Sequence, residues 1–210
     1  MSEQNGAAVQ AHTTSRTPIL DRIRAALGDV TEDSIAPVPP APRRDQPEDL
    51  LELFVERVVD YRAEVIRVSR GDLESTVAGI VGSRGPRIVP PGLSFAVPGA
   101  VVDDGTLTAR ELDLIETVVT EAAVGVAETG TIVLDHQANQ GRRAISLVPD
   151  VHVCVVLAEQ VVVDVPDAVE RLDPARPQTW ISGPSATSDI ELDRVEGVHG
   201  PRTLIVLLVE

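Results

Sequence analysis

Three stretches of the 210-residue sequence set glycine beside reactive side chains next to apolar runs. In open α/β sheets, ligands bind where such loops follow strands. The first stretch holds Glu128, Thr129, Gly130 and Thr131. Gly130 tolerates a positive φ, the hydroxyls donate or accept, and Glu128 has the chemistry of an acid, base or nucleophile. The same residues also make an ordinary turn. The second stretch runs from Gln137 through Asn139, Gln140 and Gly141 to Arg142 and Arg143. Adjacent guanidinium groups hold a carboxylate or phosphate bidentately, or pair with the chain's own carboxylates. The third holds Ser182, Gly183, Ser185, Thr187, Ser188 and Asp189, with His199 shortly after. Hydroxyl, carboxylate and imidazole lie close together there, but Gly183-Pro184-Ser185 is not the G-x-S-x-G turn of a serine hydrolase. Another reading has Ser188 or Asp189 capping a helix whose amides form an anion pocket.

Composition removes whole classes of function. Thirty-three acidic residues face eighteen basic ones, for a net charge of −15 and a pI near 4.6. Such a chain repels a phosphate backbone, and Phe54, Tyr61, Phe95 and Trp180 are too few to stack bases, so nucleic-acid binding is not expected. Every basic residue is arginine, which excludes a Schiff-base lysine and the P-loop lysine. Cys154 alone cannot form an internal disulfide or a multi-thiolate metal site. His12, His136 and His152 are isolated; His152 lies in an apolar pattern and reads as a hydrogen-bonded core residue. No HxxxH, HExxH or aspartate-rich calcium spacing occurs, so no metal site is expected, and no G-x-G-x-x-G supports a dinucleotide fold. Apolar runs are far shorter than the roughly 20 residues of a membrane span, and the first residues carry no basic-then-apolar leader. A cytoplasmic protein is the expectation.

The elements that must position these residues are legible as periodicities. Residues 1–16 are small, polar and unpatterned and read as a disordered tail. Thr17-Pro18 starts, and Gly28 stops, a short amphipathic helix over 17–28 carrying Ile19, Ile23 and Leu27. Five prolines between Pro37 and Pro47 make 29–47 an extended linker, so the helix is tethered to the domain at 48–210. Leu50 to Tyr61 repeats at helical spacing, and Asp72 caps a further helix. Thr108 and Glu111 fit a capping box. Short strands are expected near 63–68, 88–89, 117–120, 131–134 and 161–163, and a helical turn or two over 121–127. The passage through Gly92, Pro98 and Gly99 reads as loop. Val151 to Leu157 and Thr203 to Val209 are near-continuous apolar runs, the pattern of parallel strands buried on both faces. Strands alternating with helices predict an α/β fold with a mostly parallel sheet flanked by helices.

Val124 to Leu134, then Gly141-Arg142-Arg143 and Leu147-Val148-Pro149, then Ile181 to Glu191 and Gly197 to Pro201, resemble the LUD-domain family in residues and in order. The resemblance implies a fold like the NagB/RpiA/CoA-transferase group. It also implies a part in a bacterial-type L-lactate utilization system, oxidising L-lactate to pyruvate beside two iron–sulfur partner proteins. With Cys154 alone this chain cannot hold a cubane cluster, whose ligation takes four thiolates, so the clusters are expected on the partners and none here.

Three readings of activity follow. In the first, a pocket of Glu128–Thr131, Arg142, Arg143, Ser182–Ser185, Thr187, Ser188 and Asp189 binds the substrate carboxylate or a cofactor. His199 is then the proton acceptor, because imidazole titrates near working pH. In the second, the chain is a stand-alone enzyme on a phosphosugar or acyl-CoA, with Glu128 as nucleophile or base. In the third it is an assembly module whose N-terminal helix docks a partner.

Overall fold

The structure is a computed structural model that describes residues 7–29, Pro39, 45–184, 186–187, 195–196 and 200–210. The chain divides into two compact units, Met1–Pro42 and Arg43–Glu210.

The first unit holds helix α1, Ala7–Ala26. It begins well before the expected start at Thr17, in the stretch read as a tail, and passes through Pro18. Ala7, Ala8, Gln10 and Ala11 are strong helix formers, whereas Pro18 lacks the N–H that an interior turn uses. Ile19, Ile23 and Leu27 repeat every fourth residue and are exposed. The proline-rich linker lies almost wholly outside the described residues.

The second unit opens with α2, Leu50–Asp60, capped by Asp49, whose carboxylate accepts from Glu52 N at 2.9 Å. Then come β1 (Glu64–Val68), α3 (Leu73–Gly82), β2 (Arg87–Val89), β3 (Ala100–Val102), α4 (Ala109–Leu112) and β4 (Thr117–Glu121). Next are β5 (Val124–Val126), β6 (Thr131–Leu134), α5 (Arg143–Leu147), β7 (Val151–Leu157), β8 (Val161–Val162) and α6 (Val165–Arg171). Last are β9 (Thr179–Ile181), β10 (Ala186–Thr187), β11 (Val195–Glu196) and β12 (Thr203–Val209). Thr108 and Glu111 make the expected box at α4. Asp72 sits at the start of α3 without capping it; its carboxylate accepts from Ser69 Oγ at 2.6 Å instead.

Six strands form an all-parallel sheet in the order β1-β12-β7-β4-β2-β3. The unbroken apolar runs of β7 and β12 follow from burial on both faces. Cys154, Val156, Val206 and Leu208 pack with Phe54 and Val58 of α2, while Val153, Val155, Ile205 and Leu207 pack with Val77 and Val81 of α3. Each such side chain taken fully from water contributes roughly 1.5–3 kcal/mol. A second sheet has the order β8-β5-β6-β9, with β6 antiparallel to both neighbours. Here the expected helical turn over 121–127 is β5. Val124 and Val126 favour extended backbone, and Gly125 lets Phe54 lie flat on the strand: a Cβ there would stand 3.1 Å from two ring carbons. β3 and α5 occupy stretches in which no regular element was expected.

Between the two middle strands, His152 is buried and its Nε2 shares a hydrogen bond with Thr120 Oγ1 at 2.7 Å. Burial pushes the imidazole pKa down to about 4. The unfolded chain, near 6.5, therefore binds a proton that the folded chain refuses. This contribution is complete above pH 6.5 and is lost as pH falls towards 4. It should amount to about 3 kcal/mol across that window. Denaturant titrations at pH 7 and pH 4.5 should show that His152→Gln removes this part of the acid sensitivity; an unchanged pH slope would refute it.

Candidate functional site

The first sequence stretch turns the chain from β5 into β6. Gly130 has φ +58°, and a Cβ there would come within 2.5 Å of the Arg57 carbonyl carbon. Gly183, after β9, has φ +79°, and a Cβ would stand 2.6 Å from Tyr61 O. Both glycines are required because two loops press against the end of α2. That close approach aligns three hydroxyls: Thr129 Oγ1 lies 2.7 Å from Thr131 Oγ1, which lies 2.8 Å from Ser182 Oγ. Glu128 is half-buried, and its backbone N–H donates to Val163 O at 3.0 Å. Gly130→Ala should destabilise the fold by about 2–4 kcal/mol, read from urea unfolding, because it adds both a left-handed strain and a backbone clash.

The second stretch lies at the carboxyl edge of the parallel sheet, beside the residues that follow β2, β3 and β4. Its loop, 135–142, is pinned by the buried side chains of Asp135 and Gln140. Gln140 Oε1 accepts from the backbone N–H of Asp135 at 2.5 Å and of His136 at 2.9 Å. Neither ring nitrogen of His136 is isolated: Nδ1 bonds Gly141 O and Nε2 bonds Thr179 Oγ1, both at 2.9 Å. His136 itself holds φ +56°. Asn139 Nδ2 donates to Glu121 Oε2 at 2.6 Å, and Ser94 Oγ donates to the other oxygen of that carboxylate. The loop is thereby tied to the end of β4.

Arg142 and Arg143 part company. Arg142 grips the buried carboxylate of Asp103 through two bonds, Nε to Oδ2 at 2.8 Å and Nη2 to Oδ1 at 3.0 Å, and Nη2 also reaches Leu107 O. Asp103 in turn raises the Arg142 pKa further above its ordinary value. Of the two readings open to this arginine, the structure supplies the internal ion pair. Arg143 is exposed, and its guanidinium makes no ion pair among the described residues. Both arginines line a cleft of about 530 Å³ with His136, Pro91 and Gln178. Along the same loop, Asp135, Gln137 and Gln140 line a second cavity of about 460 Å³ with Arg171. Gln137 belongs to both.

The described residues of the expected pocket fall into two hydrogen-bonded groups. Thr129, Gly130, Thr131, Ser182 and Gly183 come together at the end of α2; Arg142 and Arg143 sit on the 135–142 loop; no hydrogen bond joins the two groups among the described residues. Ser185, Ser188, Asp189 and His199 lie outside the described residues. Thr187 is in β10, where its backbone pairs with Val195. Sequence reasoning missed Asp103, Glu121, Asp135, Arg171 and Arg176. A carboxylate at the end of an apolar strand, or directly after it, was the available signal for Glu121 and for Asp103 and Asp135 respectively. Replacing Asp103 with Asn should cost about 1–3 kcal/mol of stability, measured by thermal and urea unfolding, since it leaves Arg142 half-buried against a neutral partner.

A parallel α/β domain with a polar loop at its carboxyl edge defines a fold class rather than a reaction. The chain belongs to the LUD-domain family, whose pattern matches residues 91–209. It is 43% identical over 204 residues to Lactate utilization protein C of Deinococcus radiodurans, covering 93% of this chain and 95% of that protein. It is 23% identical over 183 residues to Lactate utilization protein C of Macrococcus caseolyticus, covering 78% and 79%. Among solved structures, the crystal structure of a DUF162 family protein from D. radiodurans superposes with a TM-score of 0.67 at 40% identity, over 77% of this chain and 96% of that one.

Proposed function

We propose that this chain is a component of a system that oxidises L-lactate to pyruvate, working with two iron–sulfur proteins and carrying no cluster of its own. The observation that supports this best is the likeness, over nearly the full length of both chains, to a protein named for lactate utilization. The donor set agrees. Cys154 is buried inside the central sheet, and burial pushes its thiol up to about 12, which disfavours the thiolate that a cluster requires. Electrons then travel through the partners, while this chain contributes binding and assembly. His199 remains the proposed proton acceptor, and Glu128, Thr129, Thr131, Ser182, Ser185, Thr187, Ser188 and Asp189 the proposed polar surroundings. The proposed compartment is the cytoplasm; no helix among the described residues is long and apolar enough to cross a membrane.

The test is reconstitution. The tagged chain should co-purify from its host with two proteins that bring iron and acid-labile sulfide. L-lactate-dependent dye reduction should be lost when this chain is withheld and restored when it returns. His199→Gln should assemble yet leave the dye oxidised. Full dye reduction without the chain would overturn the reading, and full reduction with His199→Gln would remove that residue's role.

A further inference from the structure

The cleft lined by Arg142 and Arg143 presents cations that a ligand can reach. Buried Asp103 holds Arg142 through Nε and Nη2, so that guanidinium is fixed before any ligand arrives. Its Nη1 carries two N–H groups and makes no hydrogen bond among the described residues, and 34% of the side chain remains accessible. Arg143, the next residue, is exposed, and its guanidinium has no ion pair among the described residues. The carboxylates of this neighbourhood are occupied. Asp103 is bound to Arg142, and Asp104 Oδ1 accepts from both the backbone N–H and the hydroxyl of Thr106. Among the described residues the charge of Arg143 is therefore left over, in a chain whose net charge is −15.

The other walls of the cleft are apolar and held in shape. Pro91, Ala138 and Pro177 line it, and its volume is about 530 Å³. That lies within the roughly 300–1,000 Å³ of sites for drug-sized molecules, and a three-carbon acid fills little of it. Three of the lining residues hold positive φ: Gly105 at +84°, His136 at +56° and Gly141 at +71°. His136 keeps that conformation, uncommon for a residue with a side chain, while both of its ring nitrogens are bonded. Such strain gathers at sites whose surroundings dictate a shape. We propose that this cleft binds an anion with an apolar body. The head lies against Arg143 and Arg142 Nη1, and the body against Pro91, Ala138 and Pro177. Carboxylates and phosphate monoesters share that chemistry. The inference goes beyond the lactate reading, because the ligand is larger and more apolar than L-lactate whatever reaction the system performs.

Calorimetric titration of the purified full chain uses two matched pairs: propionate against hexanoate, and propyl phosphate against hexyl phosphate. Each pair keeps its head and lengthens the body by three methylenes, and 1-hexanol is the neutral control. A fully buried methylene is worth roughly fourfold in affinity. With partial burial, the longer member of at least one pair should still bind about tenfold more tightly, and hexanol should not match it. Arg143→Gln, at the surface, should weaken both members of that pair about tenfold, the scale of a hydrogen bond from a charged group, and keep the preference for length. Pro177→Ser, also at the surface, should reduce the preference for length and leave the shorter member unchanged. A preference in one pair alone sustains the site and identifies the head. Equal binding within both pairs, no binding by any of the four, hexanol matching the longer anion, or affinities that neither substitution moves overturns the site. No partner protein enters this titration, so the site can fail while reconstitution succeeds, and the reverse.

Discussion

The seven-residue parallel ladder between β7 and β12 is the constraint on which the rest depends. It places two strands with apolar residues on both faces at the middle of the sheet, so α2 must cover one side and α3 the other. With those helices fixed, β4 pairs on the outer edge of β7 and delivers Glu121 to the carboxyl edge, where Asn139 can reach it. α2 then serves a second purpose. Its Phe54 ring carries Gly125, and its last turn backs Gly130 and Gly183, so the small sheet is seated on the same helix that covers the large one.

What the sequence made legible follows from which signals are local. Val151–Leu157 and Thr203–Val209 could be read because burial on both faces leaves an unbroken apolar run. The helix at Leu50–Asp60 and the box at Thr108–Glu111 could be read because caps and periodicity act over three or four residues. β5 carries no local mark, because Val124-Gly125-Val126 is held by its ladders to β6 and β8 and packs on Phe54, some seventy positions earlier. α5 has five residues and β3 three, too short for a period to show.

The site divides the same way. Glycine and hydroxyl chemistry at 128–131 and 182–183 was visible, and the structure does align those hydroxyls. Which carboxylate would meet Arg142 was invisible, since Asp103 is thirty-nine positions away and the chain offers many others. The net charge of −15 made an internal partner for an arginine easy to find. It did not say that of two adjacent arginines one would be gripped and the other left at the surface.

Gln137 has a consequence of its own. It forms a party wall, lining the cleft of Arg142 and Arg143 on one side and the Asp135 cavity on the other, and its Nε2 is bonded to Asp135. Were either chamber occupied by a ligand that drew this amide away, the lining of the opposite chamber would change with it. Thermodynamic reciprocity would then require a second occupant to act on the first by the same factor. Two ligands that never touch would still report on one another through one side-chain amide.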